Sequence, residues 1–233
     1  MKLLMHICCA PCANLPIDVL RADGIDLTGY WYNPNIHPFT EYRARRNCLQ
    51  EYAKTIDLPL LVRDDYGLRP FVRAVADDIA GRCVKCYEMR LFEAARMAKE
   101  GGFDAFTSSL FISPYQQHEL MRDVAYRAGE AYGVQFYYQD FRPLFRDGQT
   151  RARELGFYIQ KYCGCVFSEQ ERYQKPSRMI PYYRFCETSE LCVGGDAYIA
   201  PFGTSEFAGV FRKIGAACRG NVGIDPYAFL GRA

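Results

Sequence analysis

No stretch of this 233-residue chain holds the roughly 20 uninterrupted apolar residues that a membrane span requires, so no membrane partner is expected. The N-terminus, Met1-Lys2-Leu3-Leu4-Met5-His6-Ile7, carries one basic residue and a short apolar run that ends in cysteines. It lacks a small-residue cleavage site and does not read as a secretory signal. A cytoplasmic location is expected, where thiols stay reduced. Also missing are a Gly-x-Gly-x-x-Gly turn after a strand and a Gly-Lys-Ser/Thr phosphate loop. Nucleoside triphosphates and dinucleotides therefore have no support in the sequence. Charge of one sign is scarce as well: the net charge of +2 does not by itself announce nucleic acid. Of the 29 basic residues, however, 22 are arginines, the better side chain for bidentate phosphate contacts and stacking. A genome-level bias in composition would give the same count.

What the chain has in abundance is cysteine. Seven of its 11 cysteines fall in three tight clusters, Cys8-Cys9-Ala10-Pro11-Cys12, Cys83-Val84-Lys85-Cys86 and Cys163-Gly164-Cys165. A tetrahedral zinc site or one cubane iron–sulfur cluster needs about four thiolates. Seven suggest two metal sites, or a cluster beside a second, reactive metal. Disulfides and buried structural cysteines are the alternatives, and a reduced compartment with an odd cysteine count disfavours the disulfides. Arg82 and Lys85 favour thiolates at Cys83 and Cys86. A thioredoxin-type pair is the rival there, but such a pair normally follows a first strand. Adjacent side chains diverge, so Cys8 and Cys9 are expected to address two neighbouring centres rather than grip one ion. Cys163-Gly164-Cys165 has the same property, with glycine permitting a tight turn. Cys48 sits inside a helical pattern and reads as core, while Cys186, Cys192 and Cys218 stay ambiguous.

Along the chain, short apolar runs alternate with helical periodicity. Strands are expected at Leu3–Ile7, Leu27–Tyr32, Leu58–Val62, Phe103–Ser108 and Val134–Tyr138. Helices are expected at Asn14–Ala22, Thr40–Thr55, Leu68–Asp78, Cys86–Lys99 and Arg151–Tyr158, with one from Ser113-Pro114 to about Tyr132 and another after Cys165, where Ser168–Glu171 fits a capping box. The alternation predicts a three-layer α/β fold with a mainly parallel sheet. Ligands bind at the carboxyl ends of such strands, where Cys8–Cys12 stands. Past about Ser177 glycines and aromatics rise and periodicity weakens. The expected division is a metal-binding α/β domain over 1–176 and an irregular C-terminal extension over 177–233.

Tyr32-Asn33-Pro34-Asn35-Ile36-His37-Pro38 follows the second strand as a rigid polar loop suited to substrate recognition, although Asn-Pro turn chemistry accounts for it equally. His6 reads as core and His118 as a surface residue of a helix. Arg122, Arg127, Arg142, Arg146, Arg151 and Arg153, interleaved with Tyr115, Tyr126, Tyr137, Tyr138 and Phe141, form the pattern by which single-stranded RNA is held. A solvated charged face has the same pattern.

Taken together, several blocks resemble the QueH-type epoxyqueuosine reductases. They are His6-Ile7-Cys8-Cys9-Ala10-Pro11-Cys12, the Tyr32–Pro38 loop with Glu41-Tyr42, and Arg82-Cys83-x-x-Cys86-Tyr87-x-x-Arg90. Phe106-Thr107-Ser108-Ser109-Leu110, Ser113-Pro114-Tyr115-Gln116 and Tyr158-x-x-x-Tyr162-Cys163-Gly164-Cys165 complete the set. The resemblance covers roughly Met1–Tyr173. It implies a Rossmann-like fold of the adenine-nucleotide-hydrolase type, with cysteines in place of the phosphate loop. It also implies a 4Fe–4S cluster, an adjacent mononuclear iron, and cobalamin-independent deoxygenation of epoxyqueuosine to queuosine. The implied substrate is tRNA with a GUN anticodon carrying epoxyqueuosine at the wobble position, and an unidentified donor supplies electrons. The seven clustered cysteines are the expected metal ligands; the cluster is placed on Cys9, Cys83, Cys86 and Cys165, and the iron on Cys8 or Cys12 with Cys163. His37 and Tyr115 are the candidate catalytic residues. Tyr32, Asn33, Asn35, Arg43, Arg90, Ser108 and Gln116 are candidate substrate contacts. The rivals are an iron–sulfur tRNA sulfur transferase and a zinc-stabilised RNA-binding module.

Overall fold

The computed structural model describes residues 1–174. The expected extension over 177–233, with Cys186, Cys192 and Cys218, lies outside the described residues. Five strands, β1 (Lys2–His6), β2 (Asp26–Trp31), β3 (Leu60–Val62), β4 (Ala105–Ser108) and β5 (Gln135–Phe136), form one parallel sheet in the order β3-β2-β1-β4-β5. Seven α-helices accompany it: α1 (Ala10–Ala22), α2 (Phe39–Thr55), α3 (Leu68–Val75), α4 (Arg82–Glu100), α5 (His118–Tyr132), α6 (Phe145–Glu154) and α7 (Val166–Tyr173). This is the α/β arrangement with a parallel sheet expected from the alternation, and the Rossmann-like fold that the resemblance implied.

The central strand explains itself. Leu3, Leu4 and Met5 are consecutive and all fully buried, as befits a parallel strand covered on both faces. α4 packs on β1, β4 and α5, while α1 packs on β2, α2 and α6. Gly148 lets α6 approach α1 closely: a Cβ there would sit 3.2 Å from Asn14 Oδ1, and Asn14 Nδ2 donates to the Gly148 carbonyl at 2.9 Å. No helix among the described residues is long and apolar enough to cross a membrane.

Element types match expectation, but several starts move, each for a local reason. α1 begins four residues early, because Pro11 suits the first turn and Cys9 serves as its N-cap. α2 starts at Phe39 after Pro38, so Thr40 lies inside the helix and caps nothing. Ser113 and Pro114 do not start α5. A 3-10 turn over Ser109–Ile112 precedes them, and the helix begins only at His118. α6 occupies Phe145–Glu154, six residues before the expected start. α7 is capped by the Cys165 sulfur, which accepts from the Ser168 amide at 3.4 Å, so Ser168 is not the cap. His118 is buried, not on the surface; its Nε2 meets the Tyr138 hydroxyl at 3.0 Å.

Candidate metal centre and substrate cavity

β1 lies between β2 and β4, so the strand order reverses there and a crevice opens at its carboxyl end. His6 and Ser108 are register partners, and His6 Nδ1 meets Ser108 Oγ at 2.9 Å. His6 Nε2 meets the Tyr32 carbonyl at 3.1 Å. Burial, with Arg90 nearby, pushes the His6 pKa down to about 4, so the ring is neutral. It ties together the three strand ends that carry the site.

Cys8 and Cys9 follow β1 directly, and Cys12 sits in the first turn of α1. The three sulfurs lie within 4.8 Å of one another, and Cys8 and Cys9 are 3.7 Å apart. This corrects the expectation that adjacent cysteines diverge. Cys9 is extended (φ −172°, ψ 160°) at the strand-to-helix turn, and its sulfur folds back beside Cys8. Two thiolates on one tetrahedral metal with bonds of about 2.3 Å would be about 3.8 Å apart, so the spacing suits metal binding, by one ion or by two adjoining centres. Hydrogen bonds from Cys12 and Cys9 push the Cys8 thiol well down, whereas burial pushes Cys9 up. The helix N-terminus adds a favourable partial charge for thiolates.

Cys83 and Cys86 occupy the first turn of α4, three apart and hence on one side. Cys86 is buried with Cys165, Phe71 and Val75. Burial pushes the Cys86 thiol up to about 12; Arg90 opposes the shift, and Cys163, Cys165 and Cys83 add to it. All seven clustered cysteines therefore converge on the end of the sheet, and none of the described cysteines forms a disulfide.

A buried arginine holds the third cysteine loop. Arg45 Nε donates to Glu41 Oε1 at 2.7 Å, Nη1 to the Cys163 carbonyl at 2.9 Å and Nη2 to the Tyr162 carbonyl at 3.0 Å. Tyr158 donates to the other Glu41 oxygen. Gly164 has φ +146°, and a Cβ there would stand 3.3 Å from both Arg45 Nη1 and Ile36 Cγ1. The loop is also latched to His37, whose amide donates to the Gly164 carbonyl at 2.7 Å and whose carbonyl accepts from Tyr162 at 2.6 Å. The His37 ring is used at both nitrogens: Nε2 donates to the Pro34 carbonyl at 3.1 Å, and Nδ1 accepts from the Val166 amide at 3.3 Å.

Five sulfurs have hydrogen-bond donors aimed at them. Arg90 Nη2 reaches Cys86 at 3.1 Å, Gln116 reaches Cys163 at 3.3 Å and Gln160 reaches Cys12 at 3.4 Å. The Ser109 hydroxyl reaches Cys8 at 3.6 Å and the Ser168 amide reaches Cys165 at 3.4 Å. Thiolates, not thiols, reward such donors, so the soft donor set fits a soft metal or an iron–sulfur cluster.

Above the sulfurs lies a cavity of about 980 Å³. Cys8, Cys12 and Cys163 border it, whereas Cys9, Cys83, Cys86 and Cys165 do not. Of the expected contacts, Tyr115, Gln116 and Arg90 border the cavity. Tyr32, Asn33, Asn35, His37, Arg43 and Ser108 do not. Asn33 Nδ2 donates to the Ile7 carbonyl at 2.9 Å, Tyr32 stacks under Arg63, and Arg43 is exposed on α2. Asn35 is buried, with neither amide atom partnered among the described residues. Sequence reasoning missed Arg45 and Gln160 as parts of the site, and noted Ser109 only within the Phe106–Leu110 block. Nothing in their local pattern separates them from surface polar residues, since their roles depend on contacts across more than a hundred residues of chain.

Residues 3–171 match the family described as epoxyqueuosine reductase QueH. A Dehalococcoides mccartyi protein of that name is 38% identical over 176 residues, covering 76% of this chain and 97% of that one. One from Histophilus somni is 38% identical over 175 residues, covering 72% of each chain. One from Thermotoga maritima is 33% identical over 182 residues, covering 74% of this chain and 92% of that one. The chain belongs to the epoxyqueuosine reductase QueH family.

Proposed function

We propose that this chain reduces epoxyqueuosine to queuosine in tRNA, at the wobble position of a GUN anticodon. The reaction consumes two electrons and two protons, breaks both carbon–oxygen bonds of the epoxide, leaves a carbon–carbon double bond and releases the oxygen as water. The observation that carries this reading is the division of the seven cysteines between a cavity-facing set and an inner set. The inner set, Cys9, Cys83, Cys86 and Cys165, is assigned to a 4Fe–4S cluster. The facing set, Cys8, Cys12 and Cys163, is assigned to a single iron. When bound, the pair supplies single electrons and a Lewis-acid position for the epoxide oxygen.

The chain's own residues prepare that chemistry. Gln116 and Gln160 hold the sulfurs of Cys163 and Cys12 at the cavity wall, leaving the space above them for substrate. Tyr87 donates to Gln116 Oε1 at 2.8 Å, which fixes the amide so that its nitrogen faces sulfur. Tyr115 is the candidate for substrate contact and proton supply, because it borders the cavity. His37 is assigned to latching the Cys163 loop, since both ring nitrogens are engaged. Arg90 is assigned to offsetting thiolate charge. Asn33 and Ser108 brace the ends of the central strands, and Tyr32 packs under Arg63; Asn35 and Arg43 are assigned no role.

The test is anaerobic incubation of iron-loaded protein with a strong one-electron reductant and tRNA carrying epoxyqueuosine. Queuosine is expected without ATP or cobalamin. Unchanged tRNA from fully loaded, reduced protein, or a reaction that starts only with ATP, overturns the reading.

A further inference from the structure

α6 turns two different faces to its surroundings. Gly148 and Ala152 are buried on one side, while Arg146, Gln149, Thr150 and Arg153 border the cavity. These four stand at i, i+3, i+4 and i+7, one stripe about 10 Å long. Lys161 and Arg172 also border the cavity, from the segments beyond α6.

The pairing of these charges is unequal. Among the cations that border the cavity, Arg45 is held by Glu41 and two carbonyls, and Arg90 by Cys86. Among the described residues, Arg146, Arg153, Lys161 and Arg172 have no carboxylate within ion-pair distance. The carboxylate that borders the same cavity, Glu171, is taken by Arg82. Four free cations around one opening leave it electropositive, although the whole chain carries only +2. At the same rim Tyr115 is 84% exposed, with its ring edge-on to Phe145 at 5.7 Å.

We propose that this rim grips the RNA backbone on either side of the nucleotide whose base enters the cavity. The inference rests on the reading that the substrate is an RNA. Arg146 and Arg153 on one side, and Lys161 and Arg172 on the other, contact phosphates. Gln149 and Thr150, neutral and set between the two arginines, are placed for ribose hydroxyls. Tyr115 stacks a neighbouring base, the sequence-tolerant contact that an exposed ring provides. Such a cradle holds the strand while one base leaves its stack to reach a recessed site.

The test uses full-length protein and an anticodon stem-loop with unmodified guanosine at the wobble position, so that binding is read without turnover. Each phosphate contact to single-stranded nucleic acid adds about 0.7 to the slope of log affinity against log salt. Arg146→Gln with Arg153→Gln should therefore flatten the slope by about 1.4 and weaken binding about 25-fold at ~0.1 M salt, with the loss vanishing toward ~1 M. Replacing both arginines by lysine should restore most of the slope. Tyr115→Ala should weaken binding about fivefold or more without changing the slope. Arg96→Gln, in an ion-pair network on α4, should leave the slope alone.

A double glutamine variant that keeps its thermal midpoint, slope and affinity overturns the cradle. So does an equal loss that is insensitive to salt, because that would come from structure and not from phosphate contacts. The two readings fail separately. Protein that binds through the rim yet never yields queuosine refutes the proposed reaction alone. Protein that makes queuosine while the double variant binds unchanged refutes the cradle alone.

Discussion

Replacing Arg45 with leucine tests whether the third cysteine loop is held in place or merely happens to lie there. The guanidinium is almost wholly buried and makes three bonds, one to Glu41 and two to the Tyr162 and Cys163 carbonyls. Removing it leaves Glu41, itself buried, without a cation, and two carbonyls without donors. Breaking one side of a buried pair costs about 3–5 kcal/mol. The Tyr158 hydroxyl still serves one Glu41 oxygen, and Cys163 lies near solvent, so the orphaned carbonyls add little. A loss of about 3–5 kcal/mol is a large share of the ~5–15 kcal/mol that a domain has. By contrast Lys85→Gln, which breaks an exposed pair with Glu88, should cost under about 0.5 kcal/mol. Urea unfolding of anaerobically prepared protein measures both, and an iron count on the same samples reads the loop's effect on metal. Adding Glu41→Gln to Arg45→Leu should recover part of the stability, because no lone charge then remains buried. If Arg45→Leu loses less than about 1 kcal/mol, the value of an exposed pair, and keeps its iron, the loop does not depend on this residue.

Gly164→Ala should destabilise by about 1–3 kcal/mol and lower iron content, since φ is +146° and the added methyl meets Arg45 and Ile36; unfolding curves and metal analysis check it. Cys83→Ser and Cys86→Ser should each abolish queuosine formation and reduce iron, whereas Cys48→Ser, half-buried on α2 away from the three clusters, should keep both. Variants lacking Cys8, Cys12 or Cys163 should stop turnover, and some should still show the brown absorbance of a cluster. Burial holds the His37 pKa down to about 4, below its unfolded value of about 6.5. Its contribution to stability is therefore complete above about pH 6.5 and falls as pH drops toward 4; His37→Gln should flatten that part of the stability–pH curve.

Much of this candidate site was legible in the sequence because cysteines at such close spacings are rare, and metal ligation is one of the few chemistries that asks for them. Cys8, Cys12, Cys83, Cys86, Cys163 and Cys165 needed only their clustering to be noticed. The alternation of Leu3–Ile7, Leu27–Tyr32 and Phe103–Ser108 with helices was enough to place Cys8 at a strand end. What stayed hidden was direction. Whether Cys8 and Cys9 diverge depends on the backbone of one residue at the strand-to-helix turn, and the structure folds both sulfurs together. The His37 ring in a polar loop looked like a substrate contact, yet it faces Pro34 and Val166. Ser113-Pro114 has the composition of a helix start, but it lies in the loop between the 3-10 turn over Ser109–Ile112 and α5, and that loop brings Gln116 to Cys163. For His37 and Gln116 a contact distant in sequence overrides local preference; for Cys8 and Cys9 one backbone conformation does.

The placement of positive charge follows from the same chemistry, working outward from the sulfurs. Five of the seven clustered cysteines are buried, and burial works against every charged form, so thiolates there need positive charge close by. A metal held by these cysteines would offset part of that charge. Arg45 and Arg90 stand beside the sulfurs, both buried and each influenced by more than one thiol. They differ in what holds them: Arg45 is tied to a carboxylate and backbone, so its position is fixed with or without metal. Arg90 is tied to the Cys86 carbonyl and sulfur, so its environment changes whenever that sulfur's charge does. Neither is free to greet a phosphate. The cations left for an anionic substrate are those on α6 and at Lys161 and Arg172, without a carboxylate partner among the described residues and one layer farther out. That separation lets the pocket bind a polyanion at its rim without drawing away the charges that keep its thiolates in place.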